Sequence, residues 1–182
     1  ASLAAGPKGE IYAAYVDVDT SQVAVFRSPD GSQPFAPIAT PFPGYYIASH
    51  PRIQVAQDGT LFAMASAVET SGSNPTYRLV ANRYVNGSWG NTAVLPSVLV
   101  YPDVDLGSSL LGSPLTLRTG PQFSFDVGAK SDGIDDSIRF LVTQKNSLGW
   151  LYVKGGVCNY TLSSCGLMNG WTFGAGTLNG KE

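Results

Sequence analysis

One histidine in 182 residues, His50, removes most hydrolytic and metal chemistry at the outset. A nucleophilic triad needs a histidine beside an activated serine and an acid, and no G-x-S-x-G turn occurs anywhere in the chain. Multi-histidine zinc and iron sites are excluded for the same reason. Cysteine is nearly as scarce: Cys158 and Cys165 bracket "CNYTLSSC", too far apart for a redox C-x-x-C and without the second ligand pair that zinc requires. Only three glutamates are present, Glu10 at a turn-to-strand step, Glu69 in an expected loop and Glu182 at the terminus. Glycoside hydrolysis needs two carboxylates, or a Tyr-Glu pair, about 5 to 9 Å apart across the bond. Joining Tyr12 or Tyr15 to Glu69 has no support in spacing, so a complete catalytic site is not expected. Charge is sparse at 13%, about half the usual share, and the eleven Lys and Arg are scattered in a chain of net charge −2. No electrostatic footprint for a phosphate backbone results, and nucleic acid is excluded as a partner. No run approaches the roughly 20 apolar residues needed to span a bilayer, so no membrane insertion is expected. Residues 1 to 20 lack the features of a signal peptide, and the chain opens without Met, as it would after removal of a leader or a larger upstream segment.

What the chain does hold is short alternation. Apolar residues recur at every second position in runs bounded by Gly, Pro, Asn, Asp and Ser, the pattern of half-buried strands. Strands are predicted over 10–17, 22–27, 52–56, 60–67, 77–85, 122–127, 138–144 and 150–155, with "PDG", "QDG" and "VNG" as turns between several of them. The chain is therefore all-β. Internal similarity organises it further: "SLAAGPKGEIYAAYV" set over "RIQVAQDGTLFAMAS" places Leu3 on Ile53, Gly9 on Gly59, Ile11 on Leu61, Tyr12 on Phe62 and Ala13 on Ala63. A looser third copy runs from "PQFSFDV" to "NGWTF". Three units follow, approximately 1–50, 51–119 and 120–182. Units of about fifty residues with four short antiparallel strands are the size of propeller blades, and a β-sandwich is the alternative.

"SPDGSQPF" resembles the Asp-box (BNR repeat) of sialidase-like propellers, with Ser28, Asp30 and Phe35 on marked positions, Gly31 one residue early and Pro34 where Thr is usual. "YVNGSW" is similar in a more degenerate form, with Asn86 in the Asp role, then Gly87 and Trp89. The resemblance implies a structural role, in which the Asp caps backbone N–H groups of the turn, Gly permits positive φ, and the aromatic plugs between neighbouring sheets. "HPRIQVAQDGTLFAMASA" is similar to the first-blade segment of the sialidase family, which implies for Arg52 a place in an arginine cluster that grips a substrate carboxylate. The chain departs from that pattern at Gln54, where Pro is usual, and in having no Asp shortly after "AMASAVE".

Other constellations are weaker. Asp132, Asp135 and Asp136 crowd "SDGIDDS" and offer oxygens to Ca²⁺; "DVDTS" and "YPDVD" offer fewer, and turn chemistry alone accounts for all three. Tyr45 and Tyr46 in "FPGYYIASHP" offer a sugar-stacking platform, with core packing as the alternative. Cys158 and Cys165 are expected to form a local disulfide, which points to an oxidising compartment. Asn86 and Asn159 each head a glycosylation acceptor pattern. The expectation is a secreted or cell-surface propeller-like binding or structural module, with glycans as ligands. Closed propellers have at least four blades, so three units are expected to pack against another protein chain or further blades of a longer propeller. The alternative is a portion of a sialidase-like glycoside hydrolase.

Overall fold

The computed structural model describes residues 1–47, 51–69, 76–95, 122–127, 137–145, 151–167 and 171–173. Fifteen strands and no helix lie among them, arranged as three antiparallel sheets. In the first sheet β1 (Ser2–Ala5), β2 (Ile11–Asp17), β3 (Gln22–Ser28) and β4 (Ala36–Ile38) pair each with the next. In the second, β5 (Tyr46–Ile47) and β6 (Arg52–Val55) lie end to end along one edge of β7 (Leu61–Glu69). On the other edge β7 pairs with β8 (Thr76–Val85), which carries β9 (Ser88–Trp89) and β10 (Ala93–Val94). The third repeats the plan with β11 (Gln122–Val127), β12 (Ser137–Lys145) and β13 (Leu151–Asn159), whose outer edge is shared by β14 (Cys165–Leu167) and β15 (Trp171–Phe173).

The turns explain why the plan repeats. Between β1 and β2 the N–H of Gly6 donates to Glu10 O and that of Gly9 to Gly6 O. Between β6 and β7 the N–H of Ala56 donates to Thr60 O and that of Gly59 to Ala56 O, the same five-residue turn. Gly9 and Gly59 both stand at φ 89°, which only glycine adopts without strain. β5 departs from the sequence expectation, since Tyr46 and Ile47 fall within residues 1–50 yet pair with Val68 and Ala67 of the second sheet. The reason is length: β6 covers only Leu61 to Met64 of the nine-residue β7, and the upper half of that edge needs another partner. Glu69, expected in a loop, likewise ends β7 in register with Thr76.

Packing between sheets follows from strand parity. On β2 and β3, Tyr12, Ala14, Val23 and Val25 turn inward and meet Leu61, Ala63, Ala65, Ala67 and Val80 of the second sheet. The other face of that sheet presents Phe62, Met64, Leu79 and Ala81 to Phe125, Ile138, Phe140 and Cys158 of the third. The middle sheet is thus covered on both faces, and residues 61–67 of β7 are all buried. That is why "LFAMASA" reads as a continuous apolar run while β2 alternates. β6 lies against β1 on one side and β11 on the other, so the first strands of the three sheets gather together. Three sheets in series with converging first strands make a propeller-like arrangement and not the two facing layers of a sandwich.

Buried polar groups hold the crossover from first to second sheet. Asn82 is buried in the centre of β8, where its Nδ2 donates to Pro41 O at 2.6 Å and to Gly90 O at 3.0 Å. Its Oδ1 accepts from the N–H of Arg83 at 2.8 Å. Phe42, next to the clamped Pro41, is fully buried in the shared core. Asn82→Ala should therefore lower the free energy of unfolding by about 1–3 kcal/mol, because Gly90 O loses its side-chain donor and Pro41 O keeps only the longer bond from Thr92 Oγ1 at 3.3 Å. Urea denaturation at constant m-value checks this; a change under about 0.5 kcal/mol would show that water replaces the amide.

Candidate functional site

The gathered first strands enclose a concavity of about 470 Å³, lined by Ser2 to Ala5 of β1, Arg52 to Val55 of β6, and Ser124 and Phe125 of β11. Two side chains stitch its wall. Ser2 Oγ accepts from the N–H of Ile53 at 3.1 Å, tying β1 to β6. Gln54 Nε2 donates to Phe125 O at 2.7 Å while its Oε1 accepts from the N–H of Val127 at 3.2 Å, tying β6 to β11. The amide of Gln54 thus imitates a strand's own backbone across a gap that backbone pairing does not close. Proline at this position could not do so, which gives the departure from the sialidase pattern a physical content.

Arg52 opens β6, exposed in the concavity and opposite Met64 of β7. Tyr46 is 54% exposed and pairs with Val68. Met64 and Val68 share a face of β7, so Arg52 and Tyr46 leave the same side of the sheet, with Cα atoms roughly 13 Å apart at about 3.3 Å per residue. Tyr45 is half-buried against the core between the first two sheets. The structure therefore separates the two tyrosines: Tyr46 is available to a ligand and Tyr45 is mainly packing.

The opposite end of the strands holds the turn residues. Ser28 is fully buried, donating from Oγ to Gln33 O at 2.7 Å and accepting from the N–H of Gly31 at 3.1 Å. Asp30 Oδ1 accepts from the N–H groups of Ser32 and Gln33 and from Ser32 Oγ, at 2.9, 3.1 and 2.9 Å. The hydroxyl of Ser32, then its N–H, hold the Asp30 carboxyl below the usual range. Gly31 has φ 74°, and a Cβ there would press on Ile11. Phe35 does not plug a sheet interface: it is 47% exposed, because it leads into the edge strand of a sheet whose other face meets no further sheet among the described residues. Trp89 is the aromatic that bridges sheets, its Nε1 donating to Ala39 O at 2.6 Å and its ring lying 5.2 Å from Tyr84. Asn86 also differs from the Asp role expected of it. With φ 52°, and Gly87 at 85°, it forms a two-residue I′ turn between β8 and β9, much shorter than the loop around Asp30.

Glu10 is buried beside this end, accepting from Lys8 N–H at 3.0 Å and lying 3.7 Å from Arg27, whose guanidinium sits 5.9 Å from the Tyr12 ring centre. Burial pushes the Tyr12 hydroxyl above its ordinary pKa, with Arg27 opposing and Glu10 reinforcing. Tyr12 and Tyr15 leave opposite faces of β2, Tyr12 into the core and Tyr15 outward against Phe26. Cys158 and Cys165 are disulfide-bonded, directly opposite each other on β13 and β14. The hairpin they close sends Tyr160 to the second sheet, where its hydroxyl donates to Asp58 at 2.6 Å and its ring meets Phe62 edge-on. Asn159 heads the same hairpin, with Nδ2 on Ser163 Oγ at 2.9 Å.

His50 and the Ca²⁺ candidates Asp132, Asp135 and Asp136 lie outside the described residues. Among the described residues no three His, Cys, Asp or Glu side chains converge on a metal site, and Asp17 caps its own turn by accepting from Asp19 N–H at 3.0 Å.

Two outcomes follow from these contacts. Gln54→Ala should cost about 1–2 kcal/mol by removing the side-chain donor to Phe125 O, the Val127 N–H keeping its bond to Asp126 Oδ1 at 3.0 Å, whereas Asp30→Ala should lower the urea midpoint without altering any ligand binding. A Gln54→Ala protein of unchanged stability would remove the stitch from the account. For Asp58, burial disfavours the charge, but the hydrogen bonds from Tyr160 and Thr60 outweigh it and its pKa falls below the ordinary value. Its stabilisation is thus present above the unfolded-state pKa of about 4 and is lost as pH falls through the lower native value. Tyr160→Phe should destabilise at pH 7 and converge on the parent as pH falls through the lowered native pKa of Asp58; an equal deficit at both ends of the titration would assign the effect to packing.

No protein-family profile matches the chain, and no curated protein matches it in sequence. Among solved structures the fold is similar to that of the Hadza microbial sialidase Hz136, with a TM-score of 0.56 and 14% identity over 94% of this chain. The match takes up 37% of that structure's length, so the chain spans little more than a third of it. At this identity the likeness establishes a sialidase-like propeller fold.

Proposed function

We infer that the chain is a carbohydrate-binding propeller-like module, which takes up an acidic glycan at the concavity between its first strands. The observation that carries this is the placement of Arg52: an exposed guanidinium on the wall of the 470 Å³ concavity, on the same side of the sheet as exposed Tyr46. Guanidinium forks match carboxylates bidentately, and a tyrosine ring suits the apolar face of a sugar. The loop around Asp30, whose side chain caps three turn donors, supports the Asp-box reading and a structural role for that end. The disulfide is of the kind that persists in oxidising compartments, which supports secretion or cell-surface display. The second reading, a portion of a sialidase-like glycoside hydrolase, is favoured by the fold likeness to a sialidase.

A glycan array run beside a fluorogenic sialoside assay separates the two. The module reading expects retention of carboxylate-bearing glycans with no turnover. Arg52→Ala should weaken that retention about tenfold or more and Tyr46→Ala by a smaller factor, with unfolding midpoints unchanged because both side chains are exposed. Turnover of the sialoside would establish the hydrolase reading, and binding indifferent to Arg52→Ala would move the site elsewhere.

A further inference from the structure

The turn between β8 and β9 carries an Asn-Gly dipeptide that lies outside the concavity. Asn86 and Gly87 are its two central residues, with φ 52° and 85°, and both are exposed. The register pairs Val85 with Ser88, so the Gly87 N–H stands in the turn and takes no part in the ladder. Apart from its chain neighbours, nothing stands within 4 Å of the place that a Gly87 Cβ would occupy, so the peptide between the two residues has room to rotate. Other asparagines are held differently. Asn82 is buried, its amide bonded to Pro41 O, Gly90 O and the Arg83 N–H. Asn159 donates to Ser163 Oγ at 2.9 Å and accepts from the Ser164 N–H at 3.2 Å. Asn91 is exposed like Asn86, but the residue after it is the β-branched Thr92.

We propose that Asn86 is a site of spontaneous deamidation, which converts the β8–β9 turn to an aspartyl or isoaspartyl form. The Gly87 nitrogen attacks Cγ of Asn86, a C–N bond closes a five-membered imide, and the side-chain nitrogen leaves as ammonia, taking the Gly87 amide proton. Water then adds to one of the two ring carbonyls and opens the ring, to aspartate or to isoaspartate. Ring closure needs the Gly87 nitrogen turned toward the side chain, with ψ of Asn86 at about −120°, the conformation of the first central residue in a II′ turn. A II′ turn shares with I′ the positive φ that Asn86 already has. The two differ by a flip of the central peptide, which carries the second residue from positive to negative φ, and glycine adopts both. Both turns suit a two-residue hairpin, so the flip leaves Val85 paired with Ser88. Isoaspartate does not, because it routes the main chain through the side-chain carbon and adds a backbone atom to a turn without spare length. Trp89 follows that turn directly, and its bond to Ala39 O ties the second sheet to the segment after β4.

Ageing the native chain at mildly alkaline pH, followed by peptide mapping, tests this. The peptide bearing residue 86 should gain aspartyl and isoaspartyl forms at least about tenfold faster than Asn82, Asn91 and Asn159 react, a difference in barrier of about 1.4 kcal/mol. Asn169 and Asn179, also followed by glycine, lie outside the described residues, and mapping keeps their peptides apart. Because the flip needs no unfolding, the native rate at Asn86 should lie within about tenfold of the rate in the urea-unfolded chain. Gly87→Ala should suppress the reaction in the unfolded chain too, where the variant's own folding has no bearing. Aged protein should unfold at a lower urea midpoint, whereas Asn86→Asp, which adds the charge without the extra backbone atom, should keep the parent's midpoint. Reaction at Asn86 no faster than at Asn91, or a native rate more than about tenfold below the unfolded one, overturns the proposal. An aged protein with the parent's midpoint, or an equal loss in Asn86→Asp, overturns the consequence for Trp89.

Discussion

A sheet made almost wholly of apolar and small residues has two faces to remove from water, and the architecture depends on this constraint. At about 25 cal/mol per Å² an uncovered face is a large debit for a fold whose net stability is only several kcal/mol. The second sheet meets the requirement completely, with Leu61, Ala63, Ala65 and Ala67 against one neighbour and Phe62 and Met64 against the other. Alanine at three of those positions allows close approach of the first sheet, while Phe62, Met64, Phe125 and Phe140 fill a bulkier gap toward the third. The series is thus directional, each sheet presenting one kind of face forward and another back.

Convergence of the first strands follows from that packing and creates the site. β1 and β6 are four residues long and lie side by side with β11, so their adjoining edges approach without room for full backbone ladders. Side chains take over: Ser2 and Gln54 satisfy the backbone groups of Ile53, Phe125 and Val127. What remains is a small concavity with a mixed wall, and Arg52 is its charged member. The capped turn at Ser28 and Asp30, the Glu10–Arg27 pair and the disulfide hairpin gather at the other end, where they fix loops rather than face the concavity. A division between an end of fixed turns and an end that holds Arg52 is a consequence of strand direction, since β1 and β6 both run along the concavity toward their five-residue turns.

Much of the fold was legible because it rests on local chemistry. Period-two alternation located the long strands β2, β3, β7, β8, β11, β12 and β13, and the repeat of Gly9 in Gly59 matched two turns that prove identical in hydrogen bonding. Strands of two to four residues such as β5, β9, β10 and β14 were not legible, because they exist only where a longer neighbour leaves an edge unpaired. Asn82 gave no sequence signal either: a polar residue at an alternate strand position reads as solvent-facing, and only the crossover through Pro41 and Gly90 makes it a buried clamp. Phe35 and Trp89 stand at the same place after their turns, yet only Trp89 bridges sheets, since an aromatic after a turn becomes a plug only if another sheet lies over it.

The sequence by itself determined that this protein is all-β, that it is built from a recurring turn-and-strand unit, and that Cys158 has one possible partner in the chain. These properties depend on residue type and spacing, which act through backbone conformation within a few residues. Tertiary structure alone decided which face of each strand is covered, that Arg52 and Tyr46 share one side of a sheet while Tyr45 does not join them, and that Gln54 serves as a stitch between sheets. Those outcomes depend on contacts such as the 71 positions between Gln54 and Phe125, and no local preference encodes which distant surface a side chain will meet.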